Sequence, residues 1–249
     1  MPSYATPGIT LQVHKYKGTG RVVVFYTALR GKVEAVARGV GRPKSKLASA
    51  VEPFVLSKLF LAEGRELDKL TQAEVLESHY PLRRDMNRYG YASLIGELTV
   101  KTTEPGHELR NLFTALAEAY RALCDADMPE IVLWWYLVRL FDISGVSPVL
   151  DACCRCGSEL GSGACYLPGE GGMVCESCRP SNQGMPLDGG ARGVIAGLSR
   201  FEADRLNRIS ISDENTRQIR RVMDAHIDHQ FGLNLKSRDF IRQFHNTDE

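Results

Sequence analysis

Two short runs near the start of the chain have the alternating pattern of β-strands. Arg21–Thr27 and Lys32–Arg38 are rich in β-branched and aromatic residues, and Leu29–Gly31 separates them like a hairpin turn. Alternate side chains of a strand point to opposite faces. In the second run, one face carries Val33, Ala35 and Ala37, and the other carries Lys32, Glu34, Val36 and Arg38. The small alanines suit the tight interior of a barrel, so we expect the charged set to face outward.

Two more strands are predicted around this hairpin, Ile9–Tyr16 before it and Val51–Phe60 after it. The segment 39–46 contains two glycines and a proline and is predicted to be a loop. Its Lys–Ser pair imitates the end of a phosphate-binding P-loop, but that motif needs glycine where Arg38 and Pro43 stand. Short strands around a basic loop are typical of an OB-type barrel, which binds oligonucleotides. We therefore predict an OB-fold nucleic-acid-binding domain over residues 1–80.

From Thr71 onwards the pattern favours helix, and residues 81–249 are predicted to form an α-helical domain. In Glu108–Asp125, apolar side chains recur every three or four positions, as on one face of an amphipathic helix. Tyr91, Leu94, Ile95 and Leu98 form a similar stripe before it. The predicted fold class is therefore α+β.

The next predicted helix begins at Pro129, ends near Ile143 and is apolar nearly all round. A central, buried helix is the favoured interpretation. The alternative is that Trp134 and Trp135 line a groove for a partner segment. Side chains at successive helical positions point about 100° apart, so both tryptophans are hard to bury in one small bundle.

A linker rich in Pro, Gly and Asn is predicted over Ser181–Gly190, followed by helices near Ala191–Ile209 and Asp213–Phe231. The last helix carries His226 and His229 three positions apart. Such a pair can in principle bind a metal ion, but a partly buried packing pair is the favoured interpretation.

Six of the seven cysteines lie in a window of 26 residues and indicate a metal site. Cys153 and Cys156 form one C-x-x-C pair, Cys175 and Cys178 form another, and 18 residues separate them, as in zinc sites. Four thiolates close a tetrahedron around Zn²⁺ and leave no position for a substrate water, so the zinc would be structural. We predict a zinc knuckle inserted at about residues 150–182. A metal-free knuckle and redox chemistry are the alternatives, and Cys154 or Cys165 could compete for the metal.

Charge is balanced over the 249 residues but not along the chain. Residues 1–58 contain ten Lys and Arg against only Glu34 and Glu52, whereas the other 191 residues contain 21 basic and 28 acidic side chains. A basic head of this kind suggests a polyanionic partner, because Lys and Arg neutralise phosphates. The alternative is a lysine-rich surface that only faces solvent.

We expect the cationic face of the barrel to bind the backbone of single strands with little sequence preference. The first candidates for phosphate contacts are Lys32, Arg38, Arg42, Lys44 and Lys46, followed by Arg21 and Arg30. The candidates for base stacking are His14, Tyr16, Phe25 and Tyr26. Core packing is at least as good an interpretation for Phe25 and Tyr26.

Other classes of function have less support. The longest apolar run, Ile131–Val138, is far shorter than the roughly 20 residues that cross a bilayer. The first residues lack a basic start followed by an apolar stretch, so we expect no signal peptide and a cytoplasmic, nucleoid-associated protein. No recognisable catalytic motif is found. Two alternatives stay open: a zinc-stabilised adaptor that binds only proteins, and a zinc- or thiol-dependent enzyme with an open metal position.

Several segments, taken in order, resemble the bacterial RecO recombination-repair family. The matching segments are Arg38–Val40, Pro43–Lys46, Glu52–Phe54, Pro148–Gly157, Gly171–Cys178 and Leu235–Phe240. The ordered matches run from about residue 9 to residue 243, essentially the whole chain.

The resemblance implies an amino-terminal OB-fold, a helical domain and a zinc knuckle, without enzymatic turnover. It also implies binding of single- and double-stranded DNA, annealing of complementary strands, and work with RecR and single-stranded-DNA-binding protein to load RecA. Trp134 and Trp135 depart from the pattern, since many relatives have basic residues there. In some members that helix helps to receive the acidic tail of single-stranded-DNA-binding protein.

Overall fold

A computed structural model of the chain describes residues 2–42, 44–107, 109–180 and 183–245. The residues group into two compact units, one comprising Met1–Pro129 with Leu235–Glu249 and the other Glu130–Asn234. The predicted domain boundary at residue 80 stays a prediction. Within the described ranges, none of the helices has both the length and the apolar character needed to cross a membrane.

The first unit contains a closed barrel of five strands. They are β1 (Ser3–Lys15), β2 (Arg21–Thr27), β3 (Gly31–Ala37), β4 (Leu56–Ala62) and β5 (Asp68–Glu77). The strands follow each other around the barrel in the order β1-β2-β3-β5-β4. Strands β3 and β5 are parallel, and every other neighbouring pair is antiparallel. This five-stranded barrel confirms the OB-fold prediction.

The barrel interior is filled by side chains from all five strands and from the loop that follows β3. The buried core cluster consists of Val23, Phe25, Ala35, Ala37, Val51, Leu59, Leu61 and Leu70, with Val13 and Val33 packed against it. Ala35 and Ala37 of β3 point inward, whereas Glu34 and, just after the strand, Arg38 are exposed. The alternation predicted for this run is therefore confirmed.

Two predicted boundaries in the barrel are wrong. The strand predicted at Val51 begins only at Leu56, because Ser49–Val51 is a single 3₁₀ turn and Phe54 has a φ of 70° that no strand allows. The helical texture predicted from Thr71 is strand β5. Its pairing with β4 shifts register between Phe60 and Leu61, so the inward residues Leu70 and Ala73 are three positions apart and imitate a helical step.

Four helices complete the first unit: α1 (Pro81–Arg84), α2 (Met86–Thr102), α3 (Arg110–Asp125) and α7 (Lys236–His245). The predicted stripes on α2 and α3 are buried, apart from Leu109 just before α3. Glu108, where the helix observed as α3 was predicted to begin, lies outside the described residues. Helix α2 packs against β1 and α7, and covers part of the outer face of the barrel.

The second unit combines helices with a small sheet. Its helices are α4 (Pro129–Ser144), α5 (Gly189–Leu198) and α6 (Asp213–Phe231). The sheet has the order β7-β6-β8, with β6 (Cys165–Leu167), β7 (Gly172–Val174) and β8 (Met185–Pro186). Part of the predicted linker is therefore strand β8, while Ser181 and Asn182 lie outside the described residues. The helix predicted to end at Ile209 ends at Leu198, and Ala203–Arg208 form a separate 3₁₀ helix.

Helix α4 is buried as the favoured interpretation predicted. Trp134 and Trp135 are 1% and 0% exposed, so the alternative of tryptophans lining an open groove is wrong. The Trp135 Nε1–H donates a hydrogen bond of 2.8 Å to the Phe201 carbonyl, and the Arg139 guanidinium lies 3.6 Å from the centroid of the Trp135 ring. His226 is also buried, but His229 is exposed, so the two histidines do not form a buried pair.

Candidate nucleic-acid interface and candidate metal centre

Strand register brings several predicted cations to one end of the barrel. Lys15 pairs with Arg21 across β1 and β2, and Arg21 pairs with Ala37, next to Arg38, across β2 and β3. We call this the loop end of the barrel, because the β1–β2 loop and the long β3–β4 loop both lie there.

The β3–β4 loop closes the loop end and presents charge outward. Val40, Leu47 and Val51 pack against the barrel core from this loop. The Gly41 N–H donates a hydrogen bond of 3.0 Å to the Thr19 carbonyl, which ties this loop to the β1–β2 loop. Its exposed basic side chains are Arg38, Arg42, Lys44 and Lys46. Pro43, within the predicted loop 39–46, lies outside the described residues.

Seven basic side chains share this end, and we call them the cationic patch. They are Lys15, Lys17, Arg21, Arg38, Arg42, Lys44 and Lys46. None of them forms an ion pair with a carboxylate in the part of the chain that the structure describes. Lys15 and Lys17 were not among the predicted phosphate contacts, because only the observed strand pairing places them near Arg21 and Arg38. Their position at the end of a predicted strand was the available signal.

Arg30 and Lys32 lie toward the opposite end, where β2 ends and β3 begins. Arg30 is 2.5 Å from the Glu63 carboxylate and lies 3.8 Å from the centroid of the Tyr4 ring. The Lys32 ammonium donates hydrogen bonds to the carbonyls of Val100, at 2.8 Å, and Thr103 at the end of α2. Phosphate contacts by these two residues stay predictions, but their charges already have partners within the fold.

The four stacking candidates separate into two groups. Phe25 and Tyr26 are both 0% exposed, so the hypothesis that they stack on bases is wrong and core packing is correct. Burial raises the pKa of Tyr26 to about 12. His14 and Tyr16 are exposed near the loop end, and base stacking by these two stays a prediction.

In the second unit, four cysteines converge on one point. The Sγ atoms of Cys153, Cys156, Cys175 and Cys178 all lie within 4.8 Å of one another. Each C-x-x-C pair bends into a tight turn: the Gly157 N–H donates to the Cys153 carbonyl at 2.8 Å, and the Cys178 N–H donates to the Cys175 carbonyl at 3.1 Å. Four thiolate sulfurs in this arrangement could hold a metal ion.

Local hydrogen bonds shift the pKa values of three thiols in this cluster: the pKa values of Cys153 and Cys175 are lowered, while hydrogen bonds with Cys156 and Cys175 raise the pKa of Cys178 to about 12. Backbone N–H groups, first that of Cys175 and then those of Cys156 and Arg155, lower the pKa of Cys153 to about 6. The Ser158 hydroxyl similarly lowers the pKa of Cys175. Cys154 and Cys165 lie outside the cluster, and burial raises the pKa of each thiol. Four converging cysteine sulfurs fit a metal ion that prefers sulfur ligands, and the two extra cysteines lie outside this set.

Arg155 braces the two halves of the cluster, a role that the sequence analysis missed. Its Nη1 donates to the Cys178 carbonyl at 2.9 Å, while its Nε and Nη2 donate to Glu170 at 3.0 and 2.6 Å. Arg155 lies between the first two ligand candidates in sequence and contacts the last one. It therefore fixes the spacing of the two turns.

A closed five-stranded barrel followed by helices and a four-cysteine cluster defines an OB-fold protein with a candidate structural metal site. The family model for Recombination protein O N terminal matches residues 1–79, and that for Recombination protein O C terminal matches residues 83–239. The DNA repair protein RecO of Bacillus cytotoxicus is 31% identical over 237 residues, and that of Bacillus cereus strain AH187 is 30% identical over 237 residues; each match covers 95% of both chains. The chain belongs to the RecO family.

Proposed function

We propose that this protein binds single- and double-stranded DNA through the cationic patch at the loop end of its barrel. The observation that carries the proposal is the group of seven basic side chains that have no carboxylate partner among the described residues. Unpaired cations attract a polyanion more strongly than cations that are neutralised within the fold. Their contacts would be to phosphates, which give affinity with little sequence preference.

Strand annealing follows from the same surface. Two complementary strands repel each other through their phosphates. At ordinary salt concentration this repulsion acts over about 10 Å and is largely screened at longer distances. A surface that neutralises phosphates of both strands lowers that repulsion and holds the strands close together. The protein would act here by binding and not by turnover.

Membership of the RecO family supports a role for this activity in DNA repair. We propose that the protein works with RecR to load RecA onto DNA coated with single-stranded-DNA-binding protein. This role would place it in the cytoplasm, at the nucleoid. The two named relatives support the repair role by their similarity along nearly the whole chain.

The metal is proposed to be a structural zinc ion. Cys153, Cys156, Cys175 and Cys178 would hold it, and a bound zinc ion would stabilise the fold of the second unit. Four protein ligands leave no position for a reacting water, which argues against the alternative of a zinc-dependent enzyme.

An annealing assay tests the proposal directly. We expect the purified protein to bind a labelled oligothymidylate and to accelerate pairing of two complementary oligonucleotides. The double variant Arg42→Glu/Lys44→Glu should lose much of both activities. The matched control is Arg200→Glu/Arg208→Glu, which makes the same charge change with two exposed residues of the second unit, outside the barrel. Failure of the unmodified protein to bind DNA would favour the protein-binding adaptor instead.

A further inference from the structure

An exposed tyrosine with two arginines beside it follows strand β5. Tyr80 is 53% exposed, and the guanidinium carbons of Arg83 and Arg84 lie 5.8 and 5.7 Å from the centroid of its ring. The Arg84 Nη1 donates a hydrogen bond of 3.2 Å to the Tyr80 hydroxyl. Neither the cationic patch nor the stacking candidates of the sequence analysis include these three residues.

The fold holds this tyrosine in place through a strained turn. His79 and Phe54, with φ values of 43° and 70°, are the two non-glycine residues with positive φ among those described. Nδ1 of His79, a buried residue, lies 2.8 Å from the Phe54 carbonyl. Such conformations cost roughly 1–3 kcal/mol each and persist only where surrounding contacts impose them. Arg83 adds to these contacts, because its Nη1 donates to the carbonyls of Pro53 and Ser78 at 2.8 Å each.

The tyrosine lies at the same end of the barrel as the cationic patch. Strands β3 and β5 are parallel, so β5 also ends at the loop end, and Tyr80 follows three residues later. Pro53, whose carbonyl Arg83 binds, belongs to the β3–β4 loop that carries Arg42, Lys44 and Lys46. This loop therefore crosses the barrel end from the cationic patch to Tyr80.

We propose that Tyr80 is a base-stacking platform for single-stranded nucleic acid bound at the loop end, an inference that rests on the proposed function. An unpaired base stacks on the exposed ring, and Arg84 beside it faces the phosphate of the same strand. Unpaired bases present a flat π-face that a tyrosine ring accepts whatever the sequence. A strand that crosses from the cationic patch along the β3–β4 loop reaches Tyr80 within a few nucleotides, which agrees with the small site sizes of single OB-folds.

The positive charge around Tyr80 favours nucleic acid as the ligand of this site. The ring is flanked by two guanidinium groups and shares its barrel end with seven cations that have no carboxylate partner in the described ranges. A single strand supplies both a stacking surface for the ring and negative charge for these cations. Because Phe25 and Tyr26 are buried, stacking must come from aromatic side chains that are exposed at this end.

The test compares two probes that differ only in their bases. One probe is a short labelled oligothymidylate, and the other is an abasic deoxyribose–phosphate oligomer of the same length. We expect Tyr80→Ala to weaken binding of the oligothymidylate by about 5- to 100-fold, the range for loss of one stacked base. Tyr80→Phe, which keeps the ring, should bind within about twofold of the unmodified protein. Both variants should bind the abasic oligomer as the unmodified protein does.

The matched control is Leu29→Ala, which removes an exposed apolar side chain, 44% accessible, at the opposite end of the barrel. It should leave binding of both probes unchanged. Undiminished binding of oligothymidylate by Tyr80→Ala would overturn the inference, as would an equal loss on the abasic oligomer. If the unmodified protein binds neither probe, the proposed function itself fails, and that result differs from both of the others.

Discussion

The Tyr166 hydroxyl lies 2.5 Å from Nδ1 of His226, and both side chains are fully buried. Nε2 of the same imidazole is 2.7 Å from the Val146 carbonyl. A carbonyl can only accept, so Nε2 carries the proton and Nδ1 accepts from the Tyr166 hydroxyl. Tyr166 is on β6, between the two cysteine pairs in sequence, and His226 is on α6. This hydrogen bond therefore joins the cysteine-bearing sheet to the helices of the second unit.

The His226 contact predicts a dependence of stability on pH. Burial lowers the pKa of His226 below its ordinary value of about 6.5. The imidazole stays neutral in the folded protein, whereas the unfolded chain takes up a proton below about pH 6.5. The free energy of unfolding should therefore fall as the pH drops from about 6.5 towards the lowered pKa. Thermal or urea unfolding between about pH 8 and pH 5.5 measures this.

His226→Gln isolates that effect from protonation of the cysteines. The variant should be less stable by about 1–3 kcal/mol at pH 8, because the hydrogen bonds to Tyr166 and Val146 are weakened or lost. Its deficit should shrink as the pH falls, since only the unmodified protein has the imidazole to protonate. A deficit that stays constant over this pH range would show that His226 does not contribute to the pH dependence.

Glu97 is predicted to hold the last helix of the first unit. Its carboxylate accepts the backbone N–H groups of Lys236, at 3.2 Å, and Ser237, at 2.9 Å, at the start of α7. Burial raises the pKa of Glu97, but these bonds and that from Lys101 outweigh it, so the pKa lies below the ordinary value. Glu97→Gln should cost about 1–2 kcal/mol at pH 7.

The benefit of the Glu97 carboxylate is present above the ordinary pKa of a glutamate and is lost as the pH falls through its lowered pKa. The unmodified protein and Glu97→Gln should therefore converge in stability in acid, as followed by urea unfolding. Glu104→Gln, at an exposed position just beyond α2, serves as the control and should leave stability unchanged at each pH. Equal stability of Glu97→Gln and the control at pH 7 would show that Glu97 does not hold the start of α7 in place.

Lys32 and Lys44 are expected to differ in function although both were predicted to contact phosphates. Lys32→Met keeps the aliphatic chain but leaves the Val100 and Thr103 carbonyls without their donor, so it should destabilise the protein by about 1–3 kcal/mol. Lys44→Met should leave stability unchanged and weaken DNA binding, because Lys44 is exposed. The prediction fails if Lys32→Met is fully stable and weakens DNA binding as much as Lys44→Met does.

The cysteine cluster makes a prediction about metal content. The purified protein should contain about one zinc ion per chain, and serine in place of Cys153 or Cys175 should abolish binding and destabilise the second unit. Cys154→Ser is the matched control, since this neighbouring thiol lies outside the cluster. Metal analysis with thiol titration decides the matter. Equal zinc loss in Cys154→Ser and Cys153→Ser would contradict the assigned ligand set.

Elements with strong local signals could be predicted from the sequence. The bounds of α6 agree with the prediction, because the Ser212 hydroxyl accepts the Asn215 N–H at its start and Gly232 ends it at a φ of 59°. The bounds of β2 also agree, since its β-branched run is uninterrupted. The C-x-x-C spacing predicted which four sulfurs would converge.

Features that depend on distant contacts could not be predicted. The bulge opposite Phe60 and Leu61 gave β5 a helical spacing, and no local signal marks it. The hydrogen bonds of the Lys32 ammonium depend on carbonyls at the end of α2, which lies about 70 positions later in the chain. Likewise, the positive φ of His79 is imposed by its bond to Phe54, 25 residues away. The basic region could therefore be predicted from the sequence. Only the structure distinguishes the cationic patch from Arg30 and Lys32, whose charges have partners within the fold.

The salt dependence of single-strand binding tests the central claim most directly. Each phosphate contact to a single strand contributes about 0.7 to the slope of log K against log salt concentration. Arg42→Glu/Lys44→Glu should therefore make the slope shallower by about 1.4 or more, whereas Arg200→Glu/Arg208→Glu should leave it close to that of the unmodified protein. An unchanged slope in the first variant, or an equal change in both, would contradict DNA binding at the loop end.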